Sequence, residues 1–395
     1  MPTDAEGLTE TISLGDRPLL LLGAGASVEA GIPATFEATE QIVSRIGSLA
    51  RHSRLSQALN FVCGALLAYD SAEGASPYTG LDVERVIAAV ELLAERRELE
   101  VSPFVSSWHP AVDVWDRHDA PGFFDDNLRK AIIDGRGRPK ALIEQLIDAR
   151  TGIGSGRTYK ALQRQMVDEL RGIVGGPKGA LDYLRPLVEV ARTRRPLWIA
   201  TLNYDVAVER ACRQYGASVS TGIGNWIANE NWEDWDDADL RLLKLHGSID
   251  WRWDGAERQA GHLPIATVVQ ADEPESDKRP PVVLFGQRGK LRAEGPFLSL
   301  LSEFESLLAG RERLIVIGYS FRDPHINTVI RRWTRKDSER TMVVVDPSFP
   351  DGRRYEEGFR SELLSHLTPS RHGEDFPSRI DFLRIKASEA LARLA

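Results

Sequence analysis

The feature that most constrains the fold is a short apolar run that ends in glycine. Arg17-Pro18-Leu19-Leu20-Leu21-Leu22 carries four consecutive leucines and stops at Gly23-Ala24-Gly25. It is too short to span a bilayer, and an unbroken apolar run suits a strand buried on both faces of a sheet. The glycines allow a tight exit into a helix, expected from about Ser27 through Leu49, where Ile42, Val43 and Ile46 fall at helical spacing.

Comparable runs recur at Pro196–Leu202, Leu242–Leu245, Pro281–Phe285, Arg313–Ile317 and Thr341–Val345. Strands that alternate with helices in this way build a parallel sheet covered on both faces. Residues 50 to 180 read differently. Leu81–Arg97, Asp126–Asp134, Arg138–Arg150 and Tyr159–Val174 look helical, loops rich in Ser, Pro and Trp separate them, and no buried strand stands out. Asn225–Asp237, rich in Trp and Asp, and the charged Ala271–Lys278 read as loops. Beyond Pro350 a strand is expected at Arg379–Ile385 and a helix at Ala387–Leu394. No repeat of the solenoid kind is present.

Composition excludes several function classes. The 395 residues exceed the usual size of one domain, and 42% hydrophobic with 27% charged residues suits a globular chain with a core. A formal charge of −8 argues against direct nucleic-acid binding, which needs an excess of Lys and Arg. Two cysteines, Cys63 and Cys212, supply neither a four-cysteine zinc site nor a disulfide framework, which fits a reducing compartment. The start, Met1-Pro2-Thr3-Asp4-Ala5-Glu6, is acidic and polar, unlike a signal peptide, so the cytoplasm is the expected location and no membrane is involved.

Between its strand and its helix, Gly23-Ala24-Gly25-Ala26-Ser27 fits a phosphate-binding turn, with Ser27 as helix cap and hydroxyl donor. The third glycine of the dinucleotide fingerprint is replaced by Val28, so a simple strand–helix turn fits as well. Asn203 offers an uncharged amide that orients water, though Asn before Tyr204-Asp205 is equally a helix cap. His246 follows a strand, and imidazole is the side chain that titrates near neutral pH, yet a lone histidine there is more often structural. Asp323 reads as the N-cap of a helix opening with Pro324, which leaves His325 structural.

Taken together and in order, these segments resemble the sirtuin family. Gly23-Ala24-Gly25-Ala26-Ser27-Val28-Glu29-Ala30-Gly31-Ile32-Pro33 resembles its opening motif, whose proline starts a loop, so the first helix needs a break near Gly31-Ile32-Pro33. Thr201-Leu202-Asn203-Tyr204-Asp205, Lys244-Leu245-His246-Gly247-Ser248, the stretch from Arg279 to Gln287, and Ile317-Gly318-Tyr319-Ser320 are similar to later motifs of the family. Val344-Val345-Asp346-Pro347 stands where its last nucleotide-contacting strand ends. Ala34-Thr35-Phe36-Glu37 departs from the family's aspartate, phenylalanine and arginine, so that arginine contact is not carried over.

The resemblance implies an α/β fold, a Rossmann-like doubly wound parallel sheet with a helical insertion domain. The expected divisions are 1–49 with 181–350 as the NAD-binding domain, 50–180 as the insertion and 351–395 as a C-terminal extension. It implies NAD as substrate, Asn203 and His246 as catalytic residues, and Gly23, Ala24, Gly25, Ser27, Pro33, Asp205, Gly318, Ser320 and Asp346 around the cofactor. Deacylating sirtuins carry a zinc ribbon on two cysteine pairs, whereas residues 248 to 278 hold no cysteine, so no metal is expected. Tyr204, Ser248-Ile249-Asp250-Trp251 and Gly318-Tyr319-Ser320-Phe321-Arg322-Asp323-Pro324 look like the sirtuin-like NAD hydrolases of bacterial anti-phage defence. That branch implies depletion of NAD on activation, a homo-oligomer and, for some members, a separate hexameric DNA-translocase ATPase as partner. A protein deacylase, an ADP-ribosyltransferase and a non-catalytic module sensing NAD or ADP-ribose are the other readings.

Overall fold

The computed structural model describes residues 11–49, 54–74, 81–96, 99, 112, 157–176, 179–229, 232, 235–254, 267–271, 279, 281–284, 295–348, 359, 361–363 and 379–394. The chain divides into two compact units, one of Met1–Ala34 and Gly172–Ala395, the other of Thr35–Arg171.

The second unit holds α1 (Thr35–Leu49), α2 (Arg54–Ala72), α3 (Val83–Ala94) and most of α4 (Arg157–Val174). Val83, Val86, Ile87, Val90 and Ala94 bury one stripe of α3 at intervals of three and four. Asp82 starts that helix by accepting from the Glu84 N–H at 2.8 Å. Tyr159, Leu162, Met166 and Leu170 form the equivalent stripe on α4. Helix α2, absent from the sequence expectation, packs against α1 and α3. The helices expected at Asp126–Asp134 and Arg138–Arg150 lie outside the described residues.

The first unit begins with β1 (Pro18–Leu22) and a 3₁₀ turn (Ala24–Ala30), and resumes with α5 (Arg185–Thr193), β2 (Leu197–Thr201), α6 (Ala207–Tyr215), β3 (Val219–Ser220), α7 (Ile223–Asn229) and β4 (Leu240–Lys244). There follow β5 (Gly247–Asp254), β6 (Thr267–Gln270), β7 (Pro281–Val283), α8 (Phe297–Ala309), β8 (Arg313–Ile317), α9 (Pro324–Thr334), β9 (Thr341–Val345), β10 (Arg379–Leu383) and α10 (Ala387–Ala392). Seven strands form one parallel sheet in the order β10-β9-β8-β1-β2-β4-β3. From the central β1 the chain winds out through β2 to β4 and β3, then returns to β8 and winds out to β10. This is the doubly wound α/β arrangement, with its switch point between β1 and β8.

Every residue of β1 and β2 is buried, as a strand covered on both faces requires. Leu19, Leu21, Trp198, Ala200, Leu314 and Val316 face a core shared with Leu300, Phe304 and Leu308 of α8 and Ile326, Ile330 and Trp333 of α9. Helix α5, which buries Leu187, Val188 and Ala191, packs on β2 and β4. Each such side chain contributes about 1.5–3 kcal/mol on burial.

The break expected near Gly31-Ile32-Pro33 is present: the 3₁₀ turn ends at Gly31 in the left-handed region, φ 76°, and α1 opens only at Thr35, after Pro33. Two other expectations need correction. Pro281–Val283 is a strand, but it belongs to a separate three-stranded antiparallel sheet, β6-β5-β7, rather than to the parallel one. Asn225–Asp237 is not wholly loop, because α7 runs to Asn229, held by buried Ile223 and by the stacking of Trp226 on Trp232, centroids 6.4 Å apart. Tertiary contact overrides the poor helix propensity of its asparagines.

Candidate active site at the carboxyl edge of the sheet

The loops that leave β1, β2, β4, β8 and β9 all emerge at the carboxyl edge, where doubly wound sheets bind ligands. The expected site residues are distributed over these loops. Gly23, Ala24, Gly25 and Ser27 follow β1, Asn203 and Asp205 follow β2, His246 follows β4, Gly318 and Ser320 follow β8, and Asp346 follows β9.

At the switch point two loops cross backbone against backbone. The Gly23 N–H donates to Ile317 O and the Gly25 N–H to Gly318 O, both at 2.9 Å. A Cβ on Gly23 would lie 2.5 Å from Gly318 O, and one on Gly25 would lie 2.8 Å from Gly318 Cα. Gly318 has φ +66° and leaves 2.4 Å between an added Cβ and Ala26 N. Glycine is therefore required at all three positions for packing alone. The N–H groups of Gly23 and Gly25 are spent inside the protein, so they are not the donors that would meet a ligand anion.

Asn203 is tied to this crossing. Its Nδ2 donates to Gly23 O and to Ser27 Oγ, each at 2.9 Å, and its backbone N–H donates to Thr201 Oγ1 at 3.1 Å. A carbonyl oxygen only accepts, so the bond to Gly23 identifies the nitrogen end of the amide and turns Oδ1 the other way. The helix-cap reading of Asn203 does not hold. The N-cap of α6 is Val206, without a side-chain cap bond, and Asp205 Oδ1 accepts from the N–H of Ala207, the first residue of the helix, at 2.9 Å.

Under this loop lies a buried ion pair. Lys244, fully buried at the last position of β4, donates to Asp205 O and to Glu209 Oε1, the latter at 2.7 Å. Burial by itself would lower the pKa of its ammonium, but the carboxylates of Glu209, Asp250 and Asp205 more than offset this and hold it above the usual lysine value. Lys244 thus remains charged and clamps the Asn203-Tyr204-Asp205 loop to the strand that carries His246.

His246 is 5% exposed, and its Nε2 lies 2.8 Å from Asp323 Oδ2. Asp323 Oδ1 meanwhile accepts from the N–H groups of His325 (2.9 Å) and Ile326 (3.4 Å), the N-cap arrangement expected for Asp323-Pro324. Tyr319 Oη accepts from the Asp323 N–H at 3.1 Å and donates to Asn327 Oδ1 at 2.9 Å. Asn327 Nδ2 donates to Phe321 O at 2.7 Å, which secures Phe321 at φ 56°, a conformation rare outside glycine. The loop before α9 is rigidly specified.

Tyr204 links the two expected catalytic residues, its ring centroid 6.2 Å from that of His246. Its hydroxyl donates to Leu284 O at 2.7 Å, the Leu284 N–H donates to His246 O at 2.9 Å, and the Ile249 N–H donates to Tyr204 O at 3.0 Å. Asn203 and His246 are brought to one edge by the pairing of Thr201 with Lys244 in adjacent parallel strands. Ser320 and Pro33 are half-buried, and Asp346 accepts from its own turn at the Ser348 N–H, 2.8 Å away. Gln287, at the end of the expected Arg279–Gln287 segment, lies outside the described residues.

Fold and site together define a doubly wound α/β protein with a polar, loop-built edge at its switch point. Residues 198–364 match the family model of the SIR2-like domain, a range that includes Asn203, His246, Gly318, Ser320, Asp323 and Asp346 but not the glycine loop. No curated protein matches. Among solved structures, one of Sir2Tm bound to a propionylated peptide is 12% identical with a TM-score of 0.35, over 95% of this chain and 90% of that one. A complex of a Sir2 homolog with NAD is 14% identical with a TM-score of 0.34, over 97% of this chain and 88% of that one. Neither assigns a role to any residue here.

Proposed function

We propose that this chain is an NAD hydrolase that cleaves the nicotinamide–ribose bond, releasing nicotinamide and ADP-ribose. The observation that carries the proposal is the common origin of Asn203 and His246 at the ends of adjacent strands, with Asn203 bonded to the glycine crossing at the switch point. The SIR2-like match over residues 198–364 supports NAD as the ligand.

In this reading the diphosphate lies along Ala24, Gly25 and Ser27, with Gly318, Ser320 and Asp346 toward the adenosine side and Pro33 and Asp205 toward the nicotinamide. The bond from ribose C1 to the nicotinamide nitrogen breaks, its electron pair leaves with neutral nicotinamide, and the ribose passes through an oxocarbenium-like state. Water adds to C1 and loses its proton to His246. The fixed amide of Asn203 presents Oδ1 to orient that water. Such an enzyme would deplete NAD as an anti-phage effector, as a homo-oligomer and with a separate hexameric DNA-translocase ATPase as activator. The resemblance alone supports this wider role.

The test is chromatography of NAD incubated with the purified chain, alone and with the product of any neighbouring ATPase gene. Equal release of nicotinamide and ADP-ribose is expected, abolished in Asn203→Ala and His246→Ala. Nicotinamide release that depends on an acyl-peptide or protein acceptor would instead make the chain a deacylase or transferase, and ligand binding without cleavage a sensor.

A further inference from the structure

His246 has two ring nitrogens, and in the neutral imidazole one donates while the other accepts. Which is which decides where a proton can be received. The Asp323 carboxylate faces Nε2 at 2.8 Å, with side-chain exposures of 6% for His246 and 3% for Asp323. It is held in place from the opposite side, because Oδ1 is engaged by the first N–H groups of α9. Neither partner can turn away without leaving a buried polar group unpaired or uncapping a helix, and both changes are unfavourable.

From this geometry we infer that Asp323 is a positioning residue that keeps His246 as the Nε2–H tautomer, so that Nδ1 is the nitrogen that receives the proton from water. The inference rests on the proposed NAD cleavage and adds to it the acceptor atom and the residue that selects it. A carboxylate only accepts, so the proton of the neutral ring sits on Nε2 and its lone pair on Nδ1. When water adds to the ribose, Nδ1 takes one proton, the ring becomes an imidazolium, and the adjacent carboxylate stabilises that charge without itself being protonated. The N-cap of α9 thereby does a second job. One oxygen starts the helix and the other sets the base.

Asp323→Asn separates these jobs. Asparagine is as good an N-cap as aspartate, so its Oδ1 keeps the cap while its Nδ2–H now points at Nε2. A donor there requires Nε2 to accept, which moves the ring proton to Nδ1 and removes the lone pair from Nδ1. Turnover is expected to fall about 10²–10⁴-fold, with KM unchanged and the thermal unfolding midpoint close to that of the native chain. Asp323→Ala, which loses the cap as well, is expected to lower that midpoint.

The decisive readout is the ¹⁵N spectrum of the histidine-labelled full chain, with the His246 signals identified by their loss in His246→Gln. A protonated Nε2 and an unprotonated Nδ1 are expected in the native chain, with the reverse in Asp323→Asn. A native Nδ1–H tautomer overturns the inference, and so does a tautomer that Asp323→Asn leaves unchanged. Should the substituted chain fail to fold, the native spectrum still decides. Because this measurement needs no NAD, an Nε2–H tautomer in a chain that never cleaves NAD would refute the enzymatic reading and leave the positioning role of Asp323 intact.

Discussion

The amide nitrogen of Asn203 lies 2.9 Å from Ser27 Oγ, so the end of β2 is anchored to the loop that follows β1. Ser27→Ala removes one of two acceptors of that amide and leaves Gly23 O in place. Loss of one neutral hydrogen bond of about 1 kcal/mol should lower NAD turnover roughly five-fold. Asn203→Ala removes the group itself and should cost at least about 10²-fold. Steady-state cleavage rates check both, and equal losses would show that the anchor matters as much as the amide.

The crossing of the two glycine loops tolerates no side chain. Gly318→Ala combines a left-handed backbone with a Cβ 2.4 Å from Ala26 N. Strain of about 1–2 kcal/mol and overpacking of about 1–3 kcal/mol should together destabilise the chain severely. Gly224, within α7, has nothing within 4 Å of an added Cβ, and Gly224→Ala should stabilise by about 0.5–1 kcal/mol. Urea unfolding of the two variants should move in opposite directions.

Much of this edge is visible in the sequence, for a physical reason. Strands buried on both faces must be apolar throughout, so β1, β8 and β9 appear as runs that glycine or aspartate terminates, and the segments that follow them are the edge loops. Strand β5 shows a different limit. Ile249, Trp251 and Trp253 alternate with Ser248, Asp250 and Arg252, a two-residue period that signals a strand, yet Ser248-Ile249-Asp250-Trp251 reads first as motif chemistry. Both its faces are buried, with Gln270 Nε2 donating to Asp250 Oδ2 at 2.8 Å. The pairing of His246 with Asp323 spans 77 positions and carries no local signal. An N-cap aspartate uses one oxygen, and only the folded sheet shows where the other points.

Lys244 and Glu209 form a buried pair whose removal should be felt on one side only. Lys244→Met leaves Glu209 and the Asp205 carbonyl without their buried donor, a loss of about 3–5 kcal/mol. The double substitution Lys244→Met with Glu209→Leu removes both charges and should recover a large part of it. Denaturant midpoints of the single and double variants test this; a double variant as unstable as the single one would contradict it.

Burial pushes the Cys212 thiol up from 9.0 to about 12, with Glu209 and Asp239 adding to the shift. The unfolded chain releases this proton above pH 9 while the folded chain retains it. Its contribution to stability is therefore complete below pH 9 and is lost as pH rises toward 12, with a slope of up to about 1.4 kcal/mol per pH unit. Unfolding at pH 8 and pH 10.5 should show a smaller decline in Cys212→Ala than in the native chain. Identical declines would contradict the shift.

In the proposed reaction the ribose carbon that bears nicotinamide lies between Asn203 and His246. A crystal structure of the His246→Ala chain soaked with NAD tests it most directly. Uncleaved NAD is expected across the carboxyl edge, its diphosphate at the turn after β1 and its nicotinamide ribose between the ends of β2 and β4. NAD bound elsewhere on the molecule, or no bound NAD at millimolar concentration, would contradict it.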